Sequence, residues 1–255
     1  MITIISPAKL LDFSKTESDL QHTNVQFSAE AVQINAQLKK RSVIELMHLH
    51  GISFDLAAEN ERRNQDWACT FLADRGKQSL LAFDGAVYRG IDASSFGHED
   101  FEFAQRHLRI LSGLYGVLRP LDLIEPYRLE MGTSINILGK KSLYDFWEEK
   151  ITTEINRLME LNDGVLINLA SEEYFKVIDR KKIKGRIITP QFKEKRNDTY
   201  KTIVIYAKQA RGMMCRFMIK NKLQIAEELM AFDYEGYYFN NDLSKGDNWI
   251  FTRDK

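Results

Sequence analysis

Ile2-Thr-Ile-Ile5 constrains this chain most: it is apolar or β-branched at every position and is stopped at once by Ser6-Pro7. It lacks the polar alternation of a half-exposed strand, so it reads as a strand buried in the interior. Val165 to Leu169 repeats the pattern after the stop signal Asn162-Asp-Gly164, and Ser171-Glu-Glu173 then begins a helix. Between these strands the helical signals dominate. Residues 28 to 41 predict one helix, the capping box Ser42-Val-Ile-Glu45 opens another that ends at Gly51, and Ser53 caps a third through about Asn64. His98 to Leu111 carries Phe101, Ala104, Leu108 and Leu111 on one helical face, and Ser142 caps a long amphipathic helix to about Leu161. The apolar stretch Leu80 to Ile91, with Gly85 and Gly90 inside it, fits helix and strand equally. Tyr237 to Phe239 and Trp249 to Thr252 predict closing strands. With four prolines and no polar linker, these elements predict one mixed α/β (α+β) domain over residues 1–255.

Composition excludes whole classes of function. With 44% hydrophobic and 28% charged residues the chain is neither disordered nor collagen-like, and no apolar run approaches the roughly 18 residues of a membrane span. The start, Met1 to Lys9, lacks the basic n-region of a signal peptide, and two cysteines, Cys69 and Cys215, cannot make a disulfide framework. The expectation is a cytoplasmic protein, away from membranes and acting as a monomer. Its 36 basic and 36 acidic residues cancel in total but not along the chain. Residues 1–174 carry 18 basic and 26 acidic side chains, 175–222 carry 15 and 3, and 223–255 carry 3 and 7. Such a segment is either a face with counter-charges folded against it or a phosphate-binding surface. Within it Ile187 to Phe192 and Lys201 to Tyr206 predict two strands and Gln209 to Asn221 a helix, an arrangement able to expose one basic concave face.

Several chemistries fail on spacing. His48 and His50 sit two residues apart on a helix, so their rings point about 200° apart. His22, His98 and His107 lack cysteine neighbours, so no metal and no cofactor is expected. Gly132 to Ser142 is not a nucleotide loop, because six residues separate its glycines and Lys141 stands where a hydroxyl is required. Cys215 beside Arg211 and Arg216 is either an activated, oxidisable thiol or a buried helix cysteine.

Leu111-Ser-Gly-Leu-Tyr-Gly-Val-Leu-Arg119-Pro120 has more content. Two glycines after a helix allow a tight turn whose free amides could approach an anion, the logic of a hairpin between two helices; a plain packed turn is the alternative. This string, together with Ile5-Ser-Pro-Ala-Lys9, Pro126-Tyr-Arg-Leu-Glu-Met-Gly132, Ile167-Asn-Leu-Ala-Ser171, Glu173-Tyr-Phe-Lys176 and Ala210-Arg-Gly-Met213, resembles the YaaA family of bacterial peroxide-stress proteins nearly end to end. The resemblance implies a single compact YaaA-type fold with a basic cleft (segment 175–222) and a helix-hairpin-helix element (about 98–126). It also implies binding of double-stranded DNA and protection against oxidative damage, with free iron limited indirectly.

Two functional expectations follow. In the first, Gly113, Gly116 and Arg119 hold one phosphate region, and Lys181, Lys182, Arg186, Lys193, Lys195, Lys208, Arg211, Arg216 and Lys220 neutralise others without reading bases. In the second, Lys9, Arg128, Glu130, Ser171 and Lys176, clustered near element ends, act as an enzyme site on a phosphorylated or nucleotide-like small molecule. An enclosed pocket holding Lys9, Arg128 and Lys176 favours the enzyme, and an open charged groove beside the hairpin favours DNA.

Overall fold

The computed structural model describes residues 1–14, 21–69 and 75–254. Among these, the helices are α1 (Ser28–Leu38), α2 (Val43–His50), α3 (Phe54–Asp66), α4 (Ser79–Ala82), α5 (Ala86–Ile91), α6 (His98–His107), α7 (Leu143–Glu160), α8 (Glu172–Phe175) and α9 (Val204–Lys220). The strands are β1 (Ile2–Ile5), β2 (Leu10–Leu11), β3 (Lys77–Gln78), β4 (Phe83–Asp84), β5 (Leu108–Ser112), β6 (Gly116–Leu118), β7 (Leu123–Ile124), β8 (Val165–Asn168), β9 (Arg186–Arg196), β10 (Thr199–Lys201), β11 (Tyr238–Phe239) and β12 (Asn248–Arg253). None of the described helices is long and apolar enough to cross a membrane.

One eight-stranded sheet organises the domain, in the order β11-β12-β9-β8-β1-β5-β6 with β10 paired to β9. Its centre is parallel and its margins antiparallel: β1 lies between β5 and β8, with Thr3 opposite Leu108 and Ile167. Every residue of β1 is buried, as a strand without alternation requires. Strand β9 instead alternates, burying Ile188, Pro190, Phe192 and Glu194. The capping box of Ser42 and Glu45 forms as expected, and Gly51 closes α2 in the left-handed conformation at φ 60°.

The structure corrects three of these expectations. The helix expected to Leu111 stops at His107, and Leu108–Ser112 becomes a central strand buried at every position. Its apolar residues satisfied helical spacing, but burial on both sides decided the outcome. Of the strand expected over Lys201 to Tyr206 only Lys201 is in a strand, as the last residue of β10, while Val204 to Tyr206 form the first turn of α9. The ambiguous stretch Leu80 to Ile91 divides into α4, β4 and α5, so both periods were present.

The third correction concerns the helix-hairpin-helix element at 98–126. Strands β5 and β6 form an antiparallel β-hairpin with Ser112 opposite Gly116. Its turn is fully buried, and the amides of Leu114 and Tyr115 donate to Ser112 Oγ at 3.2 and 3.0 Å. Those amides are already satisfied, so they cannot also grip an anion. Two helices joined by a glycine turn do occur elsewhere, where Gly51-Ile52-Ser53 links α2 to α3.

Candidate functional site

Parallel strands β1 and β8 end at the same sheet edge, where Leu169 N donates to Ile4 O at 3.0 Å. Just beyond, Ser6 Oγ accepts from Ser171 N at 2.8 Å and lies 3.1 Å from Ser171 Oγ, so the two strand exits are tied together. A cavity of about 400 Å³ opens over this edge. Loops beyond parallel strand ends are where α/β folds collect their sites.

Three other parts of the chain close the cavity. The segment Tyr127–Glu130 crosses above the β5–β6 turn because Gly113 has no side chain: a Cβ there would stand 2.5 Å from Leu129 O. Tyr127 Oη meets Ser112 Oγ at 2.7 Å and fixes the segment from below. Helix α5 supplies Val87 and Tyr88, whose hydroxyl donates to Ser6 O at 3.0 Å. Helix α9 supplies Lys208 and Arg211. α9 approaches so closely because Gly212 faces Gly90: a Cβ on Gly212 would lie 1.9 Å from Val87 O. The predicted hairpin glycine therefore contributes by packing, and Gly116 likewise sits against the Trp147 ring.

Lys9, Arg128, Glu130 and Ser171 thus come together in one cavity with Lys208 and Arg211. Arg128 is 3.0 Å and Lys9 3.5 Å from Glu130 Oε1, while His50 Nδ1 lies 3.6 Å from Oε2 with its ring fully enclosed. Burial alone would raise the Glu130 carboxyl, but the His50 ring and the charges of Arg128 and Lys9 outweigh it and hold the group at about 2. A carboxylate so acidic is a weak base near neutrality, so Glu130 is suited to orienting its cationic neighbours. Arg128 Nε is buried without a hydrogen-bond partner among the described residues, and neither Lys208 nor Arg211 has a carboxylate partner there. Lys176 stays outside the cavity, its ammonium 4.9 Å from the centre of the Tyr144 ring.

The remaining basic residues do not share one face. Arg186 pairs with Val165, the first residue of β8, so it lies at the opposite sheet edge, preceded by Lys181 and Lys182 in a short 3₁₀ turn. Arg186 is bound to Glu227 and Asp247, and Lys182 to Asp179. Arg216 pairs with Asp92 at 3.3 Å and Lys220 with Asp100 at 2.8 Å. Arg119 is held by buried Asp122 and the Asn24 carbonyl. Lys193 and Lys195 lie farther along β9, opposite Thr252 and Tyr200. Folding thus pairs much of the basic excess with acidic residues from distant parts of the chain. Cys215 is fully buried and its thiol is pushed up by burial, the opposite of an activated nucleophile; burial and then Glu125 push Cys69 up to about 12.

Sequence reasoning missed His50, Tyr88, Tyr127 and Glu173 as parts of this region, the last lining the cavity and accepting from Gly132 N at 3.1 Å. Tyr88 falls in the stretch whose period is ambiguous, and the spacing of His48 and His50 speaks only to metal binding. A buried polar residue at the C-terminal turn of a capped helix was the available signal for His50.

Asp100 yields an acid-stability prediction. Burial raises its carboxyl, but hydrogen bonds from Lys220, Lys222 and the Gly97 amide prevail and hold it at about 2. A carboxyl depressed on folding contributes stability that is complete above its unfolded value, about 4, and is lost as pH falls through the folded one. Stability should therefore decline between about pH 4 and pH 2 through Asp100 and Glu130 together. Lys220→Met, which strips one partner from Asp100, should move the acid-unfolding midpoint to higher pH in a circular-dichroism titration. An unchanged midpoint contradicts this account.

The whole arrangement is that of a single mixed α/β domain with a cation-lined cavity over the ends of its parallel strands. The chain matches the family described as peroxide stress protein YaaA over residues 1–243, and it belongs to that family. It is 46% identical over 254 residues to a UPF0246 protein of Ralstonia nicotianae and 48% identical over 257 residues to one of Ralstonia pickettii, each alignment covering 99% of both chains.

Proposed function

We propose that this cytoplasmic protein serves the peroxide-stress response by holding the backbone of duplex DNA across the mouth of the cavity, without reading base sequence and as a monomer. The supporting observation is the convergence of Lys9, Arg128, Lys208 and Arg211 on one concavity, two of them unpaired with any carboxylate among the described residues. Lys193 and Lys195, on β9 and outside the cavity lining, would meet phosphates farther along the duplex. Arg119, Arg186, Arg216 and Lys220, bound to carboxylates, are expected to contribute little. Two thiols raised by burial make a peroxide-consuming cysteine a poor explanation, and in the DNA reading the protection is of the bound duplex, with iron limited indirectly. If about six phosphates are engaged, log affinity should fall with log salt at a slope of about −5, roughly three decades between 50 and 200 mM. Fluorescence-anisotropy titration of a short duplex across that range tests this, and a flat response sinks the reading.

A cavity of small-ligand size that holds Lys9 and Arg128, but not Lys176, supports a second reading, an enzyme acting on a phosphorylated or nucleotide-like small molecule. Lys9, Arg128 and Ser171 would then bind the anion, with Glu130 orienting the cations and Lys176 playing no part. Calorimetric binding of a nucleoside monophosphate in the absence of any DNA binding would select this reading.

A further inference from the structure

The cavity has a composition the DNA reading does not use. Its walls are mainly apolar, including Val87, Leu169 and the rings of Tyr88 and Tyr127, while its charged lining sets Lys9, Arg128, Lys208 and Arg211 against Asp84, Glu130 and Glu173, an excess of one cation. At about 400 Å³ it falls within the range of small-ligand pockets and is far too small for a duplex. A matching occupant has a flat, uncharged body for the apolar walls and an anionic link for the cations. Arg128 Nε is buried in the cavity wall without a partner among the described residues, so its N–H dipole adds to the positive character of that wall. A nucleotide fits that description.

The mouth carries a second, independent feature. Leu10, next to Lys9, lines the cavity and is 63% exposed, yet it is held on a short strand by pairing with Asp84 and by the bond from Asp12 N to Ala82 O at 2.7 Å. Val204, 66% exposed, lies four residues before Lys208 and so on the same face of α9. An apolar side chain such as Leu10, held in water at the lip of the cavity, matches the wedges that proteins insert between base steps.

We infer that the cavity receives a single nucleotide turned out of a DNA duplex, with Leu10 filling the place the base leaves in the stack. This rests on the DNA reading and names what the site does with the strand it holds. Opening costs least at mismatched or damaged positions, so such positions are the preferred partners. Nothing in the inference requires a bond to be made or broken.

The test uses the full chain and duplexes carrying 2-aminopurine, whose fluorescence rises when the base leaves the stack, placed in matched or mismatched pairs. Anisotropy of an end label on the same duplexes reports binding separately. The expected result is a several-fold rise in 2-aminopurine fluorescence at saturation, larger at the mismatch. Leu10→Ala should lose most of that rise at protein concentrations where the anisotropy shows the duplex to be saturated. Ala86→Leu, which adds bulk to the cavity wall, should lose it too, and cooperative thermal unfolding confirms that each variant is folded. Salt-dependent binding with no fluorescence change at either position overturns this inference and leaves the DNA reading standing. Absence of duplex binding overturns both, and binding of a free nucleoside monophosphate in that case assigns the cavity to a soluble ligand.

Discussion

Exchanging Lys208 and Arg211 together for glutamate should lower duplex affinity by roughly two to three decades at moderate salt and reduce the magnitude of the salt slope by about 2. The size follows from what each residue lacks. Neither has a carboxylate partner among the described residues, so each retains its full charge for a phosphate, and a charge-assisted bond contributes about 1.5–3 kcal/mol. Arg211 is half-buried in the cavity wall, and burial lowers its pKa, so a phosphate there meets a guanidinium poorly screened by water. Exposed Lys208→Glu alone should give about half the effect in free energy, which separates loss of contact from damage to the fold. Arg186→Glu is the contrasting variant: its guanidinium is already bound to Glu227 and Asp247 at the opposite sheet edge, so duplex affinity should change by less than about threefold. Equal losses from both substitutions, measured by anisotropy, would place the DNA elsewhere.

The second large effect is on stability. Gly212→Ala should destabilise the protein by about 3 kcal/mol, because the new Cβ meets the Val87 carbonyl, which is backbone and cannot swing aside. For a chain of this length that corresponds to a fall in Tm of roughly 6–12 °C. Duplex affinity should fall as well, since separating α5 from α9 withdraws Lys208 and Arg211 from the cavity. Gly97→Ala is the control: nothing lies within 4 Å of its Cβ and its φ of −83° suits any residue, so the only cost is alanine's weaker capping of α6, about 0.5–1 kcal/mol. Differential scanning calorimetry of both variants checks the pair. A silent Gly212→Ala would show that the two helices do not cross as closely as described.

Local signals were read well where one interaction decided the structure. The Ser42 capping box, the Ser53 and Ser142 caps and the buried first strand all form. Each depends on residues within a turn of one another or on a run of apolar side chains. Signals failed where a short segment had two acceptable partners. Leu108 to Leu111 fits a helical face by spacing, but parallel pairing with β1 buries both of its faces and satisfies its backbone groups in the sheet. Ile203 to Tyr206 is β-branched and aromatic, yet it opens a helix whose later residues Ala207, Ala210 and Gly212 pack closely on α5.

The site divides in the same way. Lys9, Arg128, Glu130 and Ser171 were legible as reactive types gathered at element ends, and they do converge. Lys176 obeys the same logic and stands outside, with its ammonium over the Tyr144 ring. Among the cations, sequence could count the excess but could not pair it. Arg186 meets Asp247 and Lys220 meets Asp100 across 61 and 120 residues, and such partners are invisible along the chain.

By itself, then, the sequence determined the caps, the first buried strand, the mixed α/β class and the presence of 15 basic residues against 3 acidic ones between 175 and 222. Only the tertiary structure decided which of those charges remain available. The reason is physical: a charge is neutralised by whatever lies within a few ångström of it, and that distance is set by strand order and by the close contact at Gly212, not by separation along the chain.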